Sequence, residues 1–300
     1  MQEIQSDRFT TFKIESWRDF DDYDPQSVQC VYRGQGRESW PLRTAYERKQ
    51  RVQNPMHEQG MLQRFVSQAG IYADNLPSNN DYVSWFSLMQ HYGAGTRLLD
   101  VTRSRYIALF ISLMGMVESK FEEDGAVWLF KTYASNINFY NALMAENSDA
   151  GYETHDVPLA EPLEEYKTLG WRFANEFIRA DWAMEVASES DCMIVRRHLR
   201  RMRSFLETGG VMEIVPARSN KRMVAQAAEF LMPITLRRSF EDNLLLGARG
   251  QNDKRCTPEV VKFVIPKEKG AEFLRKLQGM NITYQTIYPD IAGLAMSVNM

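Results

Sequence analysis

The stretch "RSRYIALFISLMGMVES", residues 103–119, limits what this chain can become more than any other. It has the length of a helix and is apolar on nearly every side, so it must be covered all round. Its longest apolar run, "YIALFISLMGMV", is too short to cross a bilayer, so protein has to cover it. The segment just before it, "QHYGAGTRLLDVT", is dense in polar side chains and follows another apolar helix, "DYVSWFSLMQHYG". Polar groups trapped between two such helices are costly unless they satisfy one another or a ligand.

The remaining pattern predicts an α+β unit. Helices are expected over 57–74, over "DYVSWFSLMQHYG", where Asp81 caps and Gly93 stops the helix, and over "KEKGAEFLRKLQGM" and "DIAGLAMSV". Strands are expected at Val31–Tyr32, "GAVWLF", "VMEIVP", "AEFLMPIT", "EVVKFVIP" and "ITYQTIYP", with "TRLLDVT" extended or turning. Residues 131–210 read as helices, the last ending at Gly209-Gly210, and are expected to form a helical insertion or subdomain within a single 1–300 domain. No Pro/Gly/Ser linker, repeat or low-complexity tract divides the chain.

With 44% hydrophobic and 25% charged residues, the composition fits a globular protein with a real core. A net charge of −3 gives no global attraction to nucleic acid or anionic membrane, so such contact would need a local patch. Cys30, Cys192 and Cys256 are scattered and odd in number, and the four histidines show no metal-ligand spacing. No metal is expected, and a cytoplasmic, reducing location fits. The polar segment "MQEIQSDRFTTFKIESW" is not expected to act as a signal peptide.

Two stretches carry candidate chemistry. In "VYRGQGR", Arg33 is expected at or near a strand end, followed by glycines that turn sharply or approach another group closely. Its guanidinium is a flat fork of donors suited to phosphate or carboxylate. The plain alternative is a surface arginine paired with an acid. In the second stretch, His91, Arg97, Asp100, Thr102 and Ser104 cluster around Gly93 and Gly95. Structural roles are open to each: Asp100 pairing with Arg97, Thr102 or Ser104 capping the next helix, His91 bonding a carbonyl. The helix start after Thr102 is also a natural anion site. Arg33, His91, Asp100 and Thr102 are expected to line one polar cavity.

The ordered blocks "YRGQ", "QHYGAGTRLLDVTRSRYIALF", "NKRMVAQAAEF" and "IYPDIAGLA" resemble the signature of the FRG domain family, with Tyr32 in place of the phenylalanine of its Phe-Arg-Gly motif. The blocks run from Tyr32 to Ala295. Members occur largely in bacteria and phages. The family is distantly similar to ADP-ribosyltransferases, which implies mixed sheets with flanking helices and NAD as substrate. The resemblance implies a ligand set of Arg33, Gln35, His91, Asp100, Thr102 and Ser104, and a catalytic Gln226 or Glu229. Ala228 stands where the family usually has glycine. A toxin or phage-conflict role, with a protein or nucleic-acid acceptor, is implied in the same way. The alternative is a non-catalytic module binding a nucleotide or nucleic acid. The third-motif residue separates the two: an acid there that reaches the Arg33 pocket favours the enzyme, and glutamine alone favours binding. Arg196, Arg197, Arg200, Arg201 and Arg203 form a basic helical face, either solvated or touching nucleic acid or an acidic partner.

Overall fold

The computed structural model describes residues 1–4, 9–26, 29–50, 54–147, 163–186, 202–215, 220–247 and 255–298. Its strands are β1 (Gln2–Ile4), β2 (Thr10–Lys13), β3 (Cys30–Gln35), β4 (Leu99–Thr102), β5 (Gly125–Lys131), β6 (Val211–Ile214), β7 (Ala228–Pro233) and β8 (Glu259–Ile265). The helices are α1 (Trp17–Asp21), α2 (Ala45–Lys49), α3 (Pro55–Ala69), α4 (Tyr82–His91), α5 (Arg105–Glu118), α6 (Tyr133–Asn147), α7 (Leu163–Val186), α8 (202–208), α9 (Lys221–Ala225), α10 (Phe240–Leu246), α11 (Gly270–Gly279), α12 (Tyr284–Ile287) and α13 (Ile291–Ser297). The chain is α+β, with helices flanking one mixed eight-stranded sheet of order β1-β2-β8-β5-β3-β4-β7-β6. Only β2 and β8 pair in parallel; the other neighbours are antiparallel.

The apolar helix α5 lies at the centre, as its pattern requires. Ser104 caps it, accepting from the Ile107 amide at 3.3 Å. Ala108, Leu109, Phe110 and Leu113 are buried against Tyr32, Val127, Leu129 and Phe263 of the sheet and Phe273 of α11. Close approach to β3 depends on small residues. A Cβ on Gly34 would lie 2.0 Å from the Ala108 carbonyl oxygen, and one on Gly36 would lie 2.6 Å from the Gly115 Cα. The Ser112 hydroxyl then reaches the Gln35 carbonyl at 2.9 Å. The glycines after Arg33 therefore serve close packing, not a turn. Arg33 lies within β3, paired with Trp128 of β5, and not at the strand's end.

The opposite face of the sheet buries Val31, Leu99, Val101, Trp128 and Leu231. A third cluster joins α3 and α4 to α6, α7, β6 and β7 through Leu62, Val83, Phe86, Phe139, Phe177 and Met232. Within residues 131–210, the described helices thus share a core with the segments before and after them. α8 stops at Gly209, whose φ of +81 suits glycine.

Two sequence expectations change. "ITYQTIYP" is not a strand. Thr283 and Thr286 form a reciprocal capping box that starts α12, and β8 already has both neighbours, β2 and β5. Nor does Arg97 pair with Asp100. It is fully buried, donating from Nε to both Glu58 carboxylate oxygens at 3.0 Å and from Nη2 to Asp181 at 3.2 Å. Trp182 Nε1 donates to the same Glu58 carboxylate at 3.1 Å, and Asp181 also accepts from Thr235 Oγ1 at 2.9 Å and the Leu236 amide at 3.0 Å. Burial works against the Arg97 charge, but Glu58 and Asp181 more than offset it and raise its pKa above the ordinary value. This cluster ties α3, the approach to β4, α7 and the segment after β7.

Arg97→Met leaves two buried carboxylates without their main cation. Urea unfolding should show a loss of about 3–5 kcal/mol, the usual consequence of removing one partner from a buried ion cluster. A loss under about 1 kcal/mol would mean the cluster does not hold these elements together.

Candidate functional site

β3 and β4 pair at a single position, Tyr32 with Thr102, whereas β3 pairs with β5 from Cys30 to Gln35 and β4 pairs with β7 from Leu99 to Thr102. Beyond that one bridge the strands part. A cavity of about 250 Å³ opens in the split, lined by Tyr32, Arg33 and Gly34 on one side and Asp100, Val101 and Thr102 on the other. The end of α4 contributes Gln90 and His91, α9 and its cap contribute Asn220, Arg222 and Gln226, and Tyr288 closes one wall. Four residues distant in sequence, Arg33, His91, Asp100 and Thr102, thus line one polar cavity.

Arg33 bridges the split. Its Nη1 donates to the Asp100 main-chain carbonyl at 2.7 Å. Its buried Nε has no hydrogen-bond partner among the described residues. Burial pushes the guanidinium down to about 10, opposed by Asp100 and assisted by the like charge of Arg48, so it stays cationic at neutral pH. The Asp100 carboxylate accepts from Gln90 Nε2 at 2.6 Å, and Gln90 Oε1 accepts from Thr96 Oγ1. Asp100 itself is exposed, held at the cavity's rim by a buffered chain of side-chain bonds. His91 Nδ1 lies 3.4 Å from Asn220 Nδ2 across the mouth.

Other expected ligand groups are already engaged. Thr102 Oγ1 donates to the Gln226 carbonyl at 2.6 Å and accepts from the Ser104 amide at 3.1 Å, so its proton clasps the α9 cap. Ser104 caps α5 and does not line the cavity. Gln35 is buried with both ends of its amide in use, Oε1 accepting from Trp128 Nε1 at 2.7 Å and Nε2 donating to the Pro41 carbonyl at 3.3 Å.

The register of β7 separates the two catalytic candidates. Ala228 and Phe230 line the cavity, so Glu229 between them points to the other side of the sheet. There it is 2% exposed and ion-paired with Arg103 Nε at 3.1 Å. Gln226 does line the cavity, with its buried Nε2 lacking a partner among the described residues. At the third motif it is thus the glutamine, not the acid, that reaches the Arg33 pocket. The Asp100 carboxylate acts on Arg33 through charge alone, the hydrogen bond going to the Asp100 main-chain carbonyl. Arg196, Arg197, Arg200 and Arg201 lie outside the described residues; Arg203 is exposed and ion-paired with Glu207 at 2.6 Å. Sequence reasoning missed Gln90, Asn220 and Arg222. The last two sit in or beside "NKRMVAQAAEF", where Asn220 caps α9 and aims the helix at the cavity.

Among the described residues, no group of three His, Cys, Asp or Glu could hold a metal ion, and no helix is long and apolar enough to cross a membrane. Residues 28–120 match the family model of the FRG domain. That segment carries β3, α4, β4 and α5, hence Arg33, His91, Asp100 and Thr102 with the glycines that seat them. It stops short of α9 and β7, which supply the rest of the cavity. No curated protein and no solved structure matches the chain.

Thr102→Val keeps the side-chain shape and removes the bond to the Gln226 carbonyl. A loss of about 1–3 kcal/mol in stability is expected, with faster amide exchange confined to 220–227. Exchange that stays unchanged there would mean that Thr102 does not hold α9.

Proposed function

We propose that the cavity binds a nucleotide through its phosphates, that NAD is this nucleotide, and that Asp100 is the acid available for ADP-ribosyl transfer. One observation carries the reading. The Arg33 guanidinium faces a polar cavity with a buried donor unused, and Arg222 lines the same space without an ion-pair partner among the described residues. Two cations converging on one cavity repel each other unless an anion lies between them. Arginine's planar fork suits a pyrophosphate, and Asn220 and Gln226 offer amide groups for ribose or base.

The chemistry follows from where Asp100 sits. Transfer breaks the bond between the ribose C1′ and the nicotinamide nitrogen, and the electron pair leaves with nicotinamide. An acceptor nucleophile forms the new bond to C1′, and its proton passes to the Asp100 carboxylate. Positive charge grows on the ribose as the old bond stretches, and a fixed carboxylate nearby favours it. Gln90 orients Asp100 for this role at 2.6 Å. Glu229, facing the other side of the sheet, supports the fold through Arg103 instead. Without the Asp100 step the same cavity is a nucleotide-binding module. Action in a cytoplasmic conflict between bacterium and phage is a setting compatible with either form.

Calorimetry with NAD tests the binding, and assay of free nicotinamide tests the transfer. Arg33→Lys should lose roughly tenfold to a hundredfold in affinity, the worth of a charge-assisted bond of about 1.5–3 kcal/mol, with a much smaller change in fold stability. Asp100→Asn should still bind NAD while nicotinamide release falls at least tenfold, and Glu229→Gln should leave binding intact. Absence of NAD binding to the native chain at millimolar concentration sinks the reading. Binding with no nicotinamide release, in any condition, leaves the module form.

A further inference from the structure

Arg33, Gly34, Ile111, Arg222 and Tyr288 line the cavity on one side and a second, larger chamber of about 660 Å³ on the other. This chamber runs outward to Trp40, Arg43 and Arg48. Its composition is unusual for a chain of net charge −3. Four arginines line it, Arg33, Arg43, Arg48 and Arg222, and none of them is ion-paired with a carboxylate among the described residues. Arg37, Arg97, Arg103 and Arg203 each have a carboxylate partner, whereas Arg105, Arg238 and Arg255 bond main-chain carbonyls. Arg48 spends one donor on the Arg43 carbonyl at 2.5 Å, which holds the two side chains' backbone together without neutralising either. Arg48 also lies close enough to lower the pKa of Arg33 by repulsion. Of the two carboxylates at the chamber, Asp290 is turned to the amide of Gly293 at 2.9 Å as the cap of α13, and Glu118 stands exposed at the end of α5.

Flat aromatic surfaces accompany the charges. Trp40 is 50% exposed on the chamber's outer edge. Tyr284 and Tyr288 form the inner wall, their rings 5.8 Å apart, and Arg222 lies 4.6 Å above the Tyr288 ring. Half of the Trp40 surface is open to solvent, so its ring has a face that a flat ligand can cover.

We infer that this second chamber binds single-stranded nucleic acid, with bases stacked on Trp40 and the inner tyrosines and phosphates running past Arg43 and Arg48. A row of uncompensated cations tracks a phosphate backbone, and exposed aromatic rings accept any base by its face. The outward opening at Trp40 and Arg43 lets a strand continue into solvent, which a free mononucleotide does not need. A duplex hides its base faces and cannot use the rings. The two spaces share Arg33, Arg222 and Tyr288, so it is the outer part of the chamber, at Trp40 and Arg43, that stands apart from the NAD reading.

The test is fluorescence anisotropy of a labelled oligo-dT decamer and an oligo-U decamer on the full chain, from 20 mM to 300 mM salt, with and without NAD. Affinity should fall steeply with salt. Each arginine removed should lower the slope of log K against log salt by about 0.7, as expected for a single strand. Trp40→Ala should weaken binding roughly tenfold to a hundredfold, the range one lost base stack carries, while Trp40→Phe retains most of it. Calorimetric NAD affinity should be the same in Trp40→Ala and Arg43→Ala as in the native chain. No binding at low salt overturns the inference, as does binding that ignores both substitutions. Equal affinity for a duplex of the same length or for heparin makes the chamber a general polyanion surface and overturns it as well. If Trp40→Ala weakens NAD and NAD displaces the oligonucleotide, the chamber is the far half of a dinucleotide site; that outcome also overturns it and leaves the NAD reading standing.

Discussion

The buried guanidinium of Arg97 is the contact on which the rest of the structure hangs. A cation with no exposure to water is expensive unless opposite charge and hydrogen bonds meet it, and here Nε and Nη2 are bonded while Nη1 has no partner among the described residues. Glu58 reaches it from α3 and Asp181 from α7, and Asp181 extends the cluster to Thr235 and Leu236 beyond β7. Elements far apart in the chain are therefore held to one point. That point is two residues before Leu99, where β4 begins. Where Arg97 is anchored decides where Asp100 and Thr102 come to lie.

The cavity is a consequence of two demands that conflict. α5 must press against β3, which the glycines at 34 and 36 permit, and β4 must keep its place between β3 and β7. The strands satisfy both by meeting only at Tyr32 and Thr102 and then separating. Main-chain groups exposed by such a gap need partners. Arg33 supplies one for the Asp100 carbonyl, and Thr102 supplies one for the Gln226 carbonyl. The polar residues around the gap thus divide into those whose bonds hold its edges, Thr102 and Ser104, and those that face the space it leaves, Arg33, Asp100, His91 and Gln226.

Charge follows the same division. Arg97, Arg103 and Arg37 hold the fold with acid partners, and Arg105 does so through the Phe20, Asp21 and Tyr23 carbonyls. The arginines that line the cleft have no carboxylate ion pair among the described residues, and cations gathered in one place repel one another. The net charge of the chain conceals this, because the sum over all residues says nothing of where they meet.

Much of the fold was legible from local pattern. The apolar run of 106–117 required a central helix, the apolar stretches at 125–130 and 259–266 read as strands, and Asp81, Ser104 and Gly209 marked helix ends. These signals act over a few residues and depend on backbone sterics and on side-chain periodicity, which sequence carries directly. The polar cluster at 91–104 was legible as a site for the same reason, since its cost between apolar helices is a property of the residues. Partnership and facing were not legible. Whether Glu229 looks into the cavity depends on the register of β7 against β4, where a shift of one residue would turn it round, and Gln226 reaches the cavity only because α9 ends there. Whether Arg97 pairs with Asp100 or with Glu58 and Asp181 depends on α3 and α7 arriving from elsewhere in the chain. The residues alone determined which segments are helix and strand and which side chains have to be satisfied; only the tertiary structure decided what satisfies them, because long-range pairing sets strand register and brings distant charges together.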